Sequence, residues 1–255
     1  MRRANVLIVI LLASLALLLL ACGKDDQTFG AGTQTSDQAP ATATATAPAT
    51  ATATEPTPAP RTTDDGCSAV PPPQPASNPN RTRSKRRLGA GRVWIATIKT
   101  NCGTIKLRLA VGRAPKTTAS FAGLARNTFF DGLTFHRIAK PGGNDFVIQG
   151  GDPLGTGNGA PGYSVVEAPP KNTRYTRYVA AMAKTQTDAP GTSGSQFFIV
   201  TAADSGLPPD YAILGEVVGD KSAVKRIAAV PADPQTEAPI DPVVMTSVRI
   251  SSTAR

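Results

Sequence analysis

The chain has 255 residues, a formal charge of +9, and 23 each of glycine and proline; that length holds one large domain or two small ones. Aromatic residues are only 5% of the total and most lie between Trp94 and Tyr211, so the packable core belongs to roughly the last 160 residues, enough for one ordinary domain. The basic balance would admit a nucleic-acid partner, but no recognition helix, stacking-aromatic strand or zinc-ligand spacing accompanies it. From Arg92 onward 18 basic and 12 acidic side chains leave about +6.

Arg2 and Arg3 precede an apolar run from Val6 to Leu20, and the run closes on Leu19-Leu20-Ala21-Cys22. A positive flank, a short apolar stretch and small residues before a cut describe a secretory signal; the run is shorter than the roughly 20 residues that span a bilayer. Cysteine directly after Leu-Leu-Ala resembles the lipobox of bacterial lipoproteins. The resemblance implies a signal peptide over residues 1–21, acylation (palmitate) at Cys22, and a membrane-anchored protein outside the cytoplasm. An uncleaved signal anchor, or a plain secretory signal with an incidental cysteine, is the alternative.

Residues 22–90 show neither a strand nor a helix period. Ala41–Pro60 consists of Ala, Thr and Pro apart from Glu55, a composition that cannot bury enough apolar area to offset its ordering entropy, so a disordered tether is expected. As a coil of about 70 residues it would span on the order of 45–50 Å. Arg81–Arg87 (RTRSKRR) places five positive charges in seven residues. It reads as the solvated end of a linker or as a contact for anionic lipid or wall polymer. With Cys22 acylated, Cys67 and Cys102 remain as a pair in an oxidising compartment, where a disulfide is expected; two free thiols are the other reading.

The domain over residues 91–255 opens with Val93–Lys99 and Thr104–Leu109, two alternating runs around a Cys-Gly turn, which predict an antiparallel hairpin. Ala114-Pro115 opens a helix over Lys116–Asn127 with Phe121, Leu124 and Ala125 as its stripe. Strands are expected at Leu133–Ile138, Phe146–Gln149, Tyr178–Ala183, Gln196–Val200, Ala212–Val218 and Val243–Ile250, and a second helix at Lys221–Ala229. Eight strands and two helices predict a mainly β fold, a closed eight-stranded antiparallel β-barrel capped by a helix at each end.

Thr134–Pro153 (TFHRIAKPGGNDFVIQGGDP) and Gly194–Val200 (GSQFFIV) supply one arginine, two glutamines and several apolar side chains, with no nucleophile or acid–base pair. Such a set suits bond rotation rather than bond cleavage. The two segments resemble the signature blocks of the cyclophilin-type peptidyl-prolyl cis-trans isomerases, and the resemblance runs from about Trp94 to Ile250. It implies the barrel just described. It also implies Arg137 and Gln149 as catalytic residues, and a substrate site of Phe146, Val147, Ala183, Lys184, Gln196, Phe198, Leu207 and Tyr211. A fixed guanidinium favours the twisted X-Pro bond, in which the lone pair localises on the prolyl nitrogen. Gln149 and Gln196, polar among apolar neighbours, must be hydrogen-bonded; a purely structural network is their other reading.

His136, the only histidine, reads as a structural residue on the inner face. No G-x-S-x-G elbow accompanies Ser193 or Ser195. Gly155–Ala160 formally matches a dinucleotide fingerprint, but Pro161-Gly162 follows where a helix would have to begin. No metal-ligand cluster is present and no cofactor is implied. The chain departs from the family pattern in the extra residues Pro141–Asp145, in Val147 for a common methionine, in Lys184 for asparagine, and in Gly206 and Tyr211 at positions of Trp and His. The expected protein is therefore a monomeric, membrane-tethered prolyl isomerase that binds Pro-containing polypeptides and no nucleic acid. A catalytically weak Pro-peptide-binding module at the cell envelope is the competing reading.

Overall fold

The computed structural model describes residues 66–74 and 79–254; Cys22, the signal run and the Ala/Thr/Pro-rich stretch lie outside the described residues. The first hairpin forms from β1 (Arg92–Thr100) and β2 (Gly103–Leu109). Along β2 the alternation is complete: Ile105, Leu107 and Leu109 are buried, Thr104, Lys106 and Arg108 exposed, as a strand with one solvated face requires. Asn101 and Cys102 make the turn, where Thr100 Oγ1 accepts the Cys102 N–H at 3.0 Å, and Gly103 takes φ +115°, which L side chains avoid.

The remaining strands are β3 (Arg137–Ala139), β4 (Val147–Gly150), β5 (Val165–Val166), β6 (Val179–Met182), β7 (Thr192–Ser193), β8 (Phe197–Val200), β9 (Ile213–Val218) and β10 (Met245–Ala254). Eight of them form one antiparallel sheet in the order β10-β1-β2-β9-β6-β8-β4-β3, while β5 and β7 pair separately. A closed barrel was expected, but the end strands β3 and β10 share no ladder. The sheet curls, and residues 132–135 meet 243–245 through three backbone bonds: Gly132 N to Met245 O, Phe135 N to Val243 O, and Met245 N to Leu133 O. The expected strand Leu133–Ile138 accordingly shortens to Arg137–Ala139. Thr134 makes only isolated bridges, to Asp152 and to Val244.

Helix α1 (Pro115–Arg126) starts on proline after Ala114, a residue with no capping side chain. The Glu167 carboxylate takes over the cap, accepting the N–H groups of Lys116 and Thr117 at 3.1 and 2.8 Å and placing negative charge at the positive helix end. Phe121, Leu124 and Ala125 are buried as the stripe predicts, and Thr117, Thr118 and Ser120 are buried too. Helix α2 (Ser222–Ala229) buries Ala223, Val224, Ile227 and Ala228, and Asp220 accepts the Ser222 N–H at its start.

Packed chain reaches back beyond the boundary placed between residues 90 and 91. Cys67 is bonded to Cys102, both sulfurs buried in the core. Asn101 holds the same junction together, donating to Ser68 O and Pro242 O and accepting the Val244 N–H. Leu88 is also buried in the core.

Candidate functional site

Strands β3, β4, β8 and β6 lie side by side, and their register decides what each face carries. Arg137 is opposite Gln149, Gln149 opposite Phe198, and Phe198 opposite Ala181. Opposed residues point to one face and their neighbours to the other. Ile138, Ile148, Ile199 and Ala180 therefore share the second face, where they join the main core with Phe121, Phe130, Phe135 and Phe197. The first face carries a separate cluster of Ala139, Val147, Tyr175, Ala181, Phe198, Val200 and Ile213.

Phe146, Ala183, Leu207 and Tyr211 pack onto that second cluster while keeping partial exposure. The residues assigned to a proline slot from the sequence, Phe146, Val147, Phe198, Leu207 and Tyr211, are thus brought together. Tyr211 stands edge-on to Phe198, ring centres 5.5 Å apart, a favoured arrangement for aromatic quadrupoles. Tyr175, which the sequence reading passed over, fixes it: its hydroxyl donates to Tyr211 O at 2.6 Å and accepts the Tyr211 N–H at 2.9 Å. Burial is the main reason the Tyr175 phenol is pushed up to about 12, so it stays a neutral donor.

Beside the slot runs a chain of polar contacts. Arg137 donates from Nε to Glu237 and from Nη1 to Gln149 Oε1 at 3.2 Å. Gln149 Nε2 donates to Gln196 Oε1 at 2.9 Å, and Gln196 Nε2 donates to Gly157 O and Gly159 O at 2.8 and 2.9 Å. Two of the five guanidinium N–H groups are engaged this way; the others have no partner among the described residues, and the Arg137 side chain is 35% exposed.

Each end of this chain is built into the fold. Glu237 sits at φ +59° in a turn tied by Asp233, whose carboxylate accepts the Gln235 and Thr236 N–H groups; Ile138 N also donates to Glu237 O at 2.8 Å. At the other end Asp152, 1% exposed, accepts three N–H groups from Leu154, Thr156 and Gly157. Gly159 approaches that carboxylate so closely that a Cβ would stand 1.8 Å from Oδ1, so only glycine fits there. The glycine-rich segment is thus a loop wrapped on a buried carboxylate.

Gln149, Gln196, Ala183 and Lys184 also line a cleft of about 600 Å³ next to the slot. Ala183 N donates to Gln196 O at 2.9 Å. Lys184 Nζ donates to Thr185 O and Asp188 O and lies 5.7 Å from the Tyr211 ring centre. His136 has both ring nitrogens buried without partners among the described residues; burial lowers its pKa, the nearby Asp152 opposing and Arg137 reinforcing the effect. It is a neutral ring adjoining the chain of contacts, not a member of it.

Residues 95–250 match the family described as cyclophilin type peptidyl-prolyl cis-trans isomerase/CLD. The chain belongs to this family. It is 38% identical to peptidyl-prolyl cis-trans isomerase B of Streptomyces anulatus over 175 residues, 62% of this chain and 96% of that one. It is 39% identical to peptidyl-prolyl cis-trans isomerase A of Mycobacterium tuberculosis over 174 residues, 61% of this chain and 91% of that one. Among solved structures, a Cryptosporidium parvum cyclophilin type isomerase in the presence of the dipeptide Ala-Pro superposes with a TM-score of 0.56 at 29% identity, covering 62% of this chain and 99% of that one. The protein is a peptidyl-prolyl cis-trans isomerase.

Residues 141–145, expected from the sequence to be additional to the family pattern, include a 3-10 turn at Pro141–Gly143 with Gly142 at φ +61°. Gly206 lies at φ +66° with no atom within 4 Å of where a Cβ would be. Space for a side chain exists at that position, but its backbone disfavours one.

Proposed function

We propose that Arg137 is the catalytic group, that Gln149 aligns it, and that Phe146, Val147, Phe198, Leu207 and Tyr211 hold the substrate proline. The observation that carries this reading is the placement of one partly exposed guanidinium, fixed on two sides, beside an apolar pocket. A planar X-Pro bond shares its lone pair with the carbonyl; the twisted bond does not. A donor fork held in place before the reaction stabilises the twisted state selectively and pays no reorganisation cost during rotation. In this reading Gln196 Oε1, the Ala183 carbonyl and the main chain of Lys184 pair with the peptide backbone. The Ala-Pro dipeptide present with the solved relative supports a Pro-containing polypeptide as substrate.

The setting is the second half of the proposal. The enzyme works outside the cytoplasm on exported chains, whose slow folding step is often prolyl isomerisation, and is tethered by lipid at Cys22. The Cys67–Cys102 bond supports an oxidising compartment. The decisive experiment for the chemistry is a protease-coupled isomerisation assay on the full chain and on Arg137→Ala. Turnover should fall by orders of magnitude while a Pro-peptide still binds within several-fold. Natural turnover in a folded Arg137→Ala protein would refute the assignment. For the anchor, Cys22→Ala should abolish lipid labelling and processing; unchanged labelling and membrane recovery would refute it.

A further inference from the structure

Residues 79–90 have no regular secondary structure, yet they are fastened at several points along the domain. Arg81 N donates to Pro161 O at 2.8 Å. The backbone there lies so close to Gly162 that a Cβ on the glycine would stand 3.0 Å from Asn80 Cα. Ser84 occupies the notch left by Gly123 in α1, its Cβ 2.6 Å from the position a glycine Cβ would take. Leu88 is buried, and Gly89 O accepts the Trp94 Nε1–H at 2.9 Å.

Held in this way, Arg81, Arg83, Lys85, Arg86 and Arg87 are all exposed. Helix α1 adds Arg126, whose guanidinium lies 5.5 Å from the Trp94 ring centre. Burial, and secondarily the charge of Arg86, lower the Arg126 pKa. The ion pairs among the described residues use Arg108, Arg137, Arg174 and Arg249, so none of these six cations has an acidic partner there. A solvated linker would relax such repulsion by spreading. This segment instead fixes its charges side by side against a helix, an arrangement that an anionic plane would stabilise.

We propose that the Arg81–Arg87 strip with Arg126 docks the isomerase domain onto anionic lipid headgroups. The inference rests on the tethered reading, in which the anchor keeps the strip at high local concentration near a membrane. Cationic residues beside an anionic leaflet act additively and within a Debye length. Pro161, bonded to the strip's first residue, belongs to the loop whose Gly157 and Gly159 carbonyls hold Gln196. Docking therefore sets the mouth of the substrate cleft beside the membrane surface.

Trp94, the single tryptophan, is a native probe at the strip. Full chain isolated from membranes is reconstituted into vesicles of phosphatidylcholine, alone or mixed with phosphatidylglycerol, carrying dansyl-labelled headgroups. Energy transfer from Trp94 should appear on the anionic vesicles, vanish at high salt, and be absent on neutral ones. Replacing Arg81, Arg83, Lys85, Arg86 and Arg87 together with Gln should lower the docked-to-undocked ratio on the order of a thousandfold, with isomerase activity on a soluble peptide retained as proof of folding. Equal transfer on both vesicle types, or an unaffected Gln variant, overturns the proposal. So does capture by a soluble glycerol-phosphate polymer without transfer to anionic vesicles, which would make the partner a wall-type polymer. Flotation separates the two readings: failure to float on neutral vesicles sinks the Cys22 anchor, while flotation without lipid-dependent transfer sinks the strip.

Discussion

The two faces of β3, β4, β8 and β6 use the same four strands for opposite purposes. On one face Ile138, Ile148 and Phe197 join Phe121, Phe130 and Phe135 in a core whose large side chains are almost wholly excluded from solvent. On the other, one residue along, Arg137, Gln149 and Phe198 build a half-open polar and apolar site. A strand period of two makes this economical, because each residue of a β-strand votes for one face only. It also makes the register strict: a slip by one residue would bury the arginine and expose the core.

The strongest way to break the comparison is to damage each face separately. Phe197→Ala empties a fully buried position whose ring lies 5.7 Å from that of Phe121, and should lower unfolding free energy by about 3–5 kcal/mol, read by denaturant titration. Activity per folded molecule should change far less. Arg137→Ala should do the reverse, lowering kcat/KM by about 10²–10³-fold with little change in stability. Arg137→Lys should rescue little, since a point charge lacks the planar fork. If the two variants fail in the same assay, the division of labour between faces is wrong.

Replacing Cys67 and Cys102 by Ser tests the inner side from its edge. The bond spans a sequence separation of 35, for which loop-closure arguments give about 3–4 kcal/mol, with measured values often smaller. The variant should unfold at lower denaturant yet keep its turnover number. Full thiol labelling of the unreduced natural protein under denaturing conditions would remove the bond from the account.

Glu237→Gln sharpens the outer side. The pair with Arg137 is partly exposed and should add little stability, but it orients the guanidinium. We expect kcat to fall about tenfold with KM within about twofold, a split that marks loss of an interaction made chiefly in the twisted state, and Glu237→Asp to recover part of it. A change in KM alone would make Glu237 a binding residue instead.

The smallest effect concerns His136. Its folded pKa lies below the ordinary 6.5, so the unfolded chain takes up the proton first as pH falls. Stability should decline on acidification from about 6.5 down to the folded pKa, before carboxylate titration takes over. His136→Gln should flatten that limb in a pH series of melting temperatures. An unchanged slope would assign it to other groups.

Much of this was legible in the sequence, and for physical reasons. Alternation in Thr104–Leu109 and the turn at Cys102-Gly103 are local signals, and the two motif blocks carry Arg137, Gln149, Gln196 and Phe198 with them. What stayed hidden depends on distant partners. Glu237 lies a hundred residues from Arg137, in a loop whose composition says only that it turns. Asp152 reads as one more loop acid until three N–H groups converge on it. Strands β5 and β7 hold two residues each, too few to establish a period. The order of residues 79–90 comes from Gly123, Pro161 and Trp94, none of which that segment's own composition could announce.

The pairing of β1 with β10 runs from Arg92 opposite Ala254 to Thr100 opposite Met245, joining the two ends of the domain strand to strand. A chain made or threaded from its N-terminal side therefore leaves the outer edge of β1 without a partner until β10 arrives. The first hairpin can form early, but its open edge is a template for wrong partners during that interval, and long-range closure of this kind slows folding. The isomerase thus carries in its own topology a late closure and, until that closure, an open edge.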